Sequence, residues 1–124
     1  MAVARILIVD DEPHIVKLIC FSLEKAGHET VAVTDGISAI SAARDEAPDL
    51  ILMDVMMPVM TGYETVERLK AEPATADIPV IMLSAKSQLY EREKGIDCGA
   101  VCYICKPFTP RELVEQVSRF LDGP

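Results

Sequence analysis

The sequence predicts an α/β fold, a doubly wound five-stranded parallel sheet with five helices on its two faces. Short, almost wholly apolar runs recur along the chain, and segments with helical spacing lie between them. Apolar runs rich in β-branched residues are typical of strands buried on both faces of a parallel sheet. Strands that alternate with helices favour right-handed crossovers, which put helices on both sides of that sheet.

The predicted strands are the apolar runs, each followed by polar residues. They are residues 6–9, 30–33, 50–53, 80–83 and 100–104.

The first predicted helix has apolar residues at intervals of three and four, and Gly27 follows as its expected C-cap. Residues 36–46 offer Ile37 and Ile40 as apolar positions of a second helix. A helix near residues 87–97 has little apolar face. The apolar positions of the first helix are Ile15, Leu18, Ile19 and Leu23.

Two further helices are predicted to begin with a capping box, in which a Thr hydroxyl and a Glu satisfy free backbone N–H groups. The boxes are Thr61–Glu64 and Thr109–Glu112, and Pro110 stands at the favoured first helical position. The apolar positions of these helices are Val66, Leu69, Leu113, Val117, Phe120 and Leu121.

A chain of 124 residues predicts a single domain, residues 1–124 with a core of about 4–121, that can bury its own core. Its end at Asp122-Gly123-Pro124 is abrupt, so truncation stays open, and an output module would be another protein or a further part of the chain. The net charge of −8 and the lack of a basic run argue against direct nucleic-acid binding. No apolar run approaches membrane length, so we expect a cytoplasmic protein without membrane contact, whose four cysteines are reduced thiols.

Charged or reactive groups follow four of the predicted strands. Each such residue alone is ordinary, because polar residues commonly follow buried strands. Together they would gather beyond the carboxyl ends of the strands, where ligands bind in folds of this kind. They are Asp10, Asp11, Glu12, Asp54, Ser84 and Lys106.

Crowded carboxylates raise one another's pKa, and either Lys106 or a hard divalent cation such as Mg²⁺ could offset their charge. A carboxylate can act as a nucleophile toward phosphorus. A cation and a lysine can neutralise the phosphoryl oxygens during transfer. The set therefore predicts phosphoryl-transfer chemistry.

Four segments resemble those of two-component response-regulator receiver domains (CheY-like), in order and at that family's spacing over essentially the whole chain. The resemblance implies a flavodoxin-like sheet with strand order 2-1-3-4-5. The segments are Ile6–Glu12, Leu52–Pro58 with Gly62 following, Leu83–Ala85 and Tyr103–Phe108.

The resemblance implies a phosphoacceptor signalling domain in which Asp54 takes the phosphoryl group from a phosphohistidine donor. Asp54, Ser84 and Lys106 would carry the chemistry, and the Lys106–Pro107 bond is expected to be cis. The Mg²⁺ site would comprise Asp10, Asp11, Asp54 and the backbone carbonyl of Met56, with Asp11 a direct ligand and Asp10 acting through a bound water.

The switch residues implied by the resemblance are Ser84 and Tyr103. Ser84 would move toward the phosphoryl group and Tyr103 would rotate into the vacated space, altering the face formed by the fourth predicted helix, the fifth strand and the fifth predicted helix. In this family the positions of Met56 and Lys86 influence phosphoryl lifetime. Met56 cannot position a water by hydrogen bonding, so we expect slow autodephosphorylation.

The implied partners are a histidine kinase or histidine phosphotransfer protein and a downstream protein or effector domain. A phosphorylation-dependent homodimer stays open. Such a domain is a switch with intrinsic self-phosphorylation and autophosphatase chemistry rather than an ordinary enzyme.

Three alternatives are weighed against this interpretation. A haloacid dehalogenase-type phosphatase would carry its nucleophile in a DxD motif after the first strand, where this chain has Asp10-Asp11-Glu12. A receiver-like scaffold that never takes phosphate would not need the full set of site residues. A small flavoprotein would need a phosphate-cradling loop where those acids stand.

The cysteines and histidines are predicted to take no part in the chemistry of the site. Cys102 and Cys105 lie three apart on a predicted strand and should face opposite sides, which disfavours a metal site with Cys98 and Cys20. Cys102 stands where the family often has Asp, which leaves partner choice open, and a redox role for Cys98 or Cys102 is an outlying alternative. Of the two histidines, His28 is expected to be a solvated turn residue, and His14 to lie in the first turn of the first helix without a catalytic role.

Overall fold

A computed structural model describes residues 3–85 and 99–122. The predicted helix near 87–97, with Lys86 and Cys98, lies outside the described residues. The described part of the chain contains five strands and four helices, and β4 and β5 follow each other without a described helix between them. In chain order they are β1 (Arg5–Val9), α1 (Pro13–Lys25), β2 (Glu29–Val33), α2 (Gly36–Glu46), β3 (Leu50–Asp54), α3 (Gly62–Ala71), β4 (Val80–Ala85), β5 (Cys102–Lys106) and α4 (Pro110–Asp122).

The strands form one parallel sheet in the order β2-β1-β3-β4-β5, which confirms the predicted fold class. β5 begins two residues later than predicted, at Cys102, which pairs with Ile81. The Val101 N–H still donates to the Val80 carbonyl at 2.8 Å, but its side chain is exposed, so apolar character alone misplaced this boundary.

The core is divided between the two faces of the sheet, because successive strand residues point to opposite sides. One cluster packs the sheet against α2 and α3, and the other packs it against α1 and α4. Every residue of the central strand β3 is buried, as expected for a strand covered on both faces.

Local hydrogen bonds define the helix ends. The Thr61 hydroxyl accepts from the Glu64 N–H and the Glu64 side chain accepts from the Thr61 N–H, which confirms the capping box of α3. The box at Thr109 is also present, with both bonds 3.1 Å long. Gly27 follows the α1 C-cap with a φ of +99°, a conformation that favours glycine. Among the described helices, none has the length and apolar character needed to cross a membrane.

Two expectations about side chains are wrong. Ile40 packs against the core as predicted, but Ile37 is 62% exposed, and α2 buries Ala39 and Ala43, whose small side chains allow the helix to pack closely on the sheet. His28 is only 5% exposed, and its Nδ1 accepts a hydrogen bond from the Ala4 N–H at 3.1 Å. The parallel pairing of β2 with β1 brings the residue before β2 beside Ala4, a contact that sequence spacing does not reveal.

Candidate functional site

The charged groups that follow the strands meet at the carboxyl end of the sheet. Asp10 comes directly after β1, Asp54 is the last residue of β3, and Lys106 is the last residue of β5. Carboxylate oxygens of Asp10, Asp11 and Asp54 all lie within 4.8 Å of one another. Residues far apart in sequence are thus brought together by the sheet order that places β1 between β2 and β3.

Lys106 binds two of these carboxylates at once. Its Nζ donates to Asp10 Oδ2 at 2.9 Å and to Asp54 Oδ1 at 3.1 Å. Glu12 Oε1 lies 3.9 Å from the same ammonium group, at the periphery of the site. The side chains of Lys106, Asp10 and Asp54 are largely shielded from water, so these charges interact more strongly than a surface pair would.

The backbone fixes the orientation of Asp10. The Glu12 N–H donates to Asp10 Oδ1 at 2.9 Å, and the Asp10 N–H donates to the Val33 carbonyl at 3.2 Å. Glu12 is the N-cap residue of α1, in agreement with its predicted place at the helix entry. The orienting role of its N–H was not predicted, although a two-residue Asx-type bond is a recognisable local pattern. Asp11 is exposed, so its carboxylate faces solvent beside the buried pair.

Burial dominates the electrostatics of Asp54. It raises the pKa of this carboxyl group to about 6, the negative charge of Asp10 adds to the rise, and Lys106 opposes it. Burial by itself would lower the pKa of Lys106. The hydrogen bond to Asp10 and the charges of the two carboxylates outweigh that effect, so the Lys106 pKa is raised and the ammonium stays charged.

Gly62 is required by the close approach of α3 to the strand that carries Asp54. A Cβ at this position would lie 2.2 Å from the Asp54 backbone oxygen, a separation no side chain tolerates. The Gly62 N–H also donates to the Val55 carbonyl at 2.8 Å. The glycine therefore allows α3 to begin directly against the end of β3.

The remaining predicted site residues surround this centre. Ser84 is fully buried in β4 and its hydroxyl donates to the Ala85 carbonyl at 3.3 Å. Met56, in the loop after β3, is 54% exposed. The Lys106–Pro107 peptide bond is cis. The Tyr103 hydroxyl donates to the hydroxyl of Tyr63 at 3.4 Å, and Tyr63 is a contact that sequence reasoning missed.

The described cysteines do not converge. Cys102 packs against the α1–α4 cluster, and Cys105 lies three positions later on the same strand, on its opposite side. Cys20 packs with the α1–α4 cluster as well, and burial raises the pKa of its thiol. Among residues 3–85 and 99–122, the acidic and thiol groups close enough to hold a metal together are those of Asp10, Asp11 and Asp54.

The donor chemistry of this cluster fits Mg²⁺. Hard cations prefer oxygen ligands, and Mg²⁺ is commonly held by one or two carboxylates with water in its other positions. One exposed and two buried carboxylates beside an ammonium group can bind such a cation and receive a phosphoryl group.

Sequence comparison relates most of the chain to known proteins. Residues 6–118 match the family described as the response regulator receiver domain. The chain is 43% identical over 113 residues to the phosphate regulon transcriptional regulatory protein PhoB of Escherichia coli, covering 91% of this chain and 49% of that protein. It is 41% identical over 117 residues to the DNA-binding dual master transcriptional regulator RpaA of Synechocystis, covering 94% and 48%. The chain thus spans about half the length of these curated relatives.

Solved structures show the same fold. The chemotaxis response regulator CheY4 of Vibrio cholerae superposes with a TM-score of 0.89 at 32% identity, covering 95% of this chain and 98% of that one. The receiver domain of the sensor histidine kinase PA1611 of Pseudomonas aeruginosa superposes with a TM-score of 0.88 at 32% identity, covering 98% and 100%. That structure holds a magnesium ion in its active-site cleft.

Proposed function

The chain belongs to the response regulator receiver domain family, and from that premise we propose that Asp54 is the residue that accepts the phosphoryl group. Domains of this family are phosphoacceptor signalling domains of two-component systems, and they act as switches rather than as classical enzymes. One observation carries the assignment of Asp54: its carboxylate lies 3.1 Å from the Lys106 ammonium, within 4.8 Å of two further carboxylates.

The proposed Mg²⁺ ligands are the carboxylates of Asp10, Asp11 and Asp54, with the backbone carbonyl of Met56. A bound cation would supply positive charge to the phosphoryl oxygens. The magnesium ion in the PA1611 receiver domain supports this choice of metal.

In the proposed reaction an Asp54 carboxylate oxygen attacks the phosphorus of a phosphohistidine. An O–P bond forms, the P–N bond breaks, and the electron pair of that bond returns to the donor imidazole. Lys106 is placed to exchange its contact with Asp54 for one with a phosphoryl oxygen, and the Ser84 hydroxyl would donate to another. With a pKa of about 6, Asp54 is roughly nine-tenths ionised at pH 7 and ready to act as the nucleophile.

We further propose that hydrolysis of the aspartyl phosphate is slow. Met56 lies in the loop after Asp54 and is exposed, so its thioether is placed where a polar side chain could orient a water. Met56→Asn should shorten the phosphoryl lifetime, followed by the decay of the phosphorylated mass after the donor is removed. A longer lifetime in that variant would contradict the proposal.

The proposed donor is a histidine kinase or a histidine phosphotransfer protein, and the proposed recipient of the signal is a downstream protein or an effector domain. The curated relatives are transcriptional regulators about twice as long as this chain, which supports an output domain of that kind. With its net charge of −8, the chain itself is not proposed to contact nucleic acid.

The deciding experiment is intact-mass analysis after incubation with acetyl phosphate, with and without Mg²⁺. The wild-type chain should gain one phosphoryl group only when Mg²⁺ is present, and Asp54→Asn should gain none. Asp45→Asn, which removes an exposed carboxylate on α2, is the matched control and should behave as wild type.

Three other results would each contradict the proposal in a different way. Phosphorylation of Asp54→Asn would assign the acceptor to another residue. Absence of phosphorylation in a folded wild-type chain, together with absence of Mg²⁺ binding, would favour a scaffold that acts by protein contact alone. Repeated turnover of a generic phosphomonoester would favour the phosphatase alternative.

A further inference from the structure

A hydrogen bond between two tyrosine hydroxyls joins the start of α3 to β5. Tyr103 Oη donates to Tyr63 Oη at 3.4 Å, between residues 40 positions apart. Tyr63 is only 4% exposed and belongs to the core cluster on the α2–α3 side of the sheet. Tyr103 packs against the same cluster, so its ring lies on the core side of β5.

The position of Tyr63 is tied to the phosphoryl site through its neighbour. A Cβ at Gly62 would lie 2.2 Å from the Asp54 backbone oxygen, and the Gly62 N–H donates to the Val55 carbonyl at 2.8 Å, so α3 begins directly against the end of β3. Tyr63 follows as the second residue of α3. A rearrangement around Asp54 therefore acts directly on the start of the helix that carries the Tyr63 hydroxyl.

Tyr103 on β5 also lies near Ser84 on the neighbouring strand β4. In the β4–β5 register Met82 pairs with Tyr103 and Ser84 pairs with Cys105. Ser84 and Tyr103 thus lie on the same face of neighbouring strands. The Tyr103 ring therefore lies on the sheet face that carries Ser84, and its hydroxyl contacts that of Tyr63.

We propose that the Tyr63 hydroxyl is a latch that holds the Tyr103 ring against the core, which makes Tyr63 a positioning residue for the switch. This inference rests on the proposed function, in which phosphorylation of Asp54 draws Ser84 toward the phosphoryl group and favours the inward Tyr103 ring. The latch stabilises that inward position by giving the ring hydroxyl a buried partner.

The length of the contact suits a reversible switch. At 3.4 Å it is longer than the 2.7–2.8 Å typical of hydroxyl pairs, so it is weak and easily broken. A typical neutral hydrogen bond changes an equilibrium by about two- to tenfold, and a contact of this length is expected at the lower end of that range. That is enough to bias a two-state population without locking it.

A double-mutant cycle on the full chain tests the latch. The probe is beryllofluoride with Mg²⁺, a stable mimic of the phosphoryl group, titrated into wild type, Tyr63→Phe, Tyr103→Phe and the double variant. Tyr63→Phe should weaken binding about two- to threefold when residue 103 is tyrosine and leave it unchanged in the Tyr103→Phe background. An equal effect in both backgrounds, or no effect in either, would overturn the proposal.

A second readout follows the Tyr103 ring directly. The chain has three tyrosines, so fluorine NMR of 3-fluorotyrosine-labelled protein gives three signals that single Tyr→Phe variants assign. Tyr63→Phe should shift the Tyr103 signal toward that of a solvated ring.

The matched control is Thr65→Val, which removes another buried hydroxyl of α3, one that donates to the Thr61 carbonyl at 2.8 Å. This variant should lose stability without shifting the Tyr103 signal, and an equal shift would overturn the latch. If wild type does not bind beryllofluoride, the proposed function fails. The fluorine signals still decide whether Tyr63 holds Tyr103.

Discussion

The burial of Asp54 has two opposing effects, one on its contacts and one on its charge. Its burial places it in contact with Lys106 and next to the end of α3, where a phosphoryl group could act on the rest of the molecule. The same burial disfavours its charge and raises its pKa to about 6. The charged Asp54 carboxylate, the proposed acceptor, is therefore expected to destabilise the metal-free protein at neutral pH.

The pH dependence of stability follows from that shift. The folded-state pKa of about 6 lies above the ordinary value of 3.8, so the protonated carboxyl group of Asp54 favours the folded state. This stabilisation is fully present below about pH 4 and is lost as the pH rises through 6. Without Mg²⁺, Asp54→Asn should raise the free energy of unfolding by about 3 kcal/mol at pH 7.5 and by little at pH 4. Urea titrations of both proteins at several pH values measure the difference, and a difference independent of pH would contradict the assignment of the raised pKa to Asp54.

Two glycines distinguish close packing from backbone conformation. Gly62→Ala would force a Cβ against the Asp54 carbonyl, so it should cost about 3 kcal/mol or more and lower phosphorylation of Asp54. Gly27→Ala meets no atom within 4 Å and has only its φ of +99° to overcome, so about 1 kcal/mol is expected with phosphorylation unchanged. Denaturant unfolding and acetyl phosphate labelling compare the two variants. Equal losses of stability and of phosphorylation would argue against the close contact between Gly62 and the Asp54 carbonyl.

At the scale of elements, α3 depends on its first residues. The Thr61 capping box begins this helix beside the proposed phosphoryl site, and the Thr109 box begins α4. Alternation and capping signals predicted most elements correctly because they depend on contacts within a few residues. The same reasoning misjudged α2, since the choice of Ala39 and Ala43 over Ile37 as its buried face depends on how closely the helix approaches the sheet.

Removal of the α3 cap should affect both stability and the site. Thr61→Ala and Thr109→Ala should each lower the free energy of unfolding by about 1 kcal/mol, because each leaves a helix N–H without its side-chain acceptor. Thr61→Ala alone should also weaken Mg²⁺ binding, since α3 begins against Asp54. Calorimetric titrations compare the Mg²⁺ affinities of Thr61→Ala and Thr109→Ala. Equal affinities in the two variants would mean that the start of α3 does not position the site.

At the scale of the whole molecule, the described residues gather more negative than positive charge at the carboxyl end of the sheet. The Lys106 ammonium contacts Asp10 and Asp54, and the Asp11 carboxylate lies within 4.8 Å of theirs, so a divalent cation should stabilise the folded chain by binding only the assembled site. At a Mg²⁺ concentration ten times the Kd, the gain should be about 1.4 kcal/mol.

Thermal unfolding with and without Mg²⁺ checks this expectation. Asp11→Asn should lose most of the gain, because it removes the exposed carboxylate of the cluster, whereas Asp45→Asn should keep it. Stabilisation that persists in Asp11→Asn would place the cation elsewhere.

Strand and helix alternation, the capping boxes and the charged groups that end the strands could be predicted from the sequence, because these features depend on periodicity and on local hydrogen bonds. The contacts of the Lys106 ammonium with both Asp10 and Asp54, across 96 and 52 positions, and the burial that raises the pKa of Asp54 to about 6, follow from the folded arrangement.

The burial of His28 and the pairing of Tyr63 with Tyr103 were likewise decided in three dimensions. Each depends on strand register and on the packing of helices against the sheet. Those distances arise only when segments remote in sequence are brought together, and no local pattern specifies them.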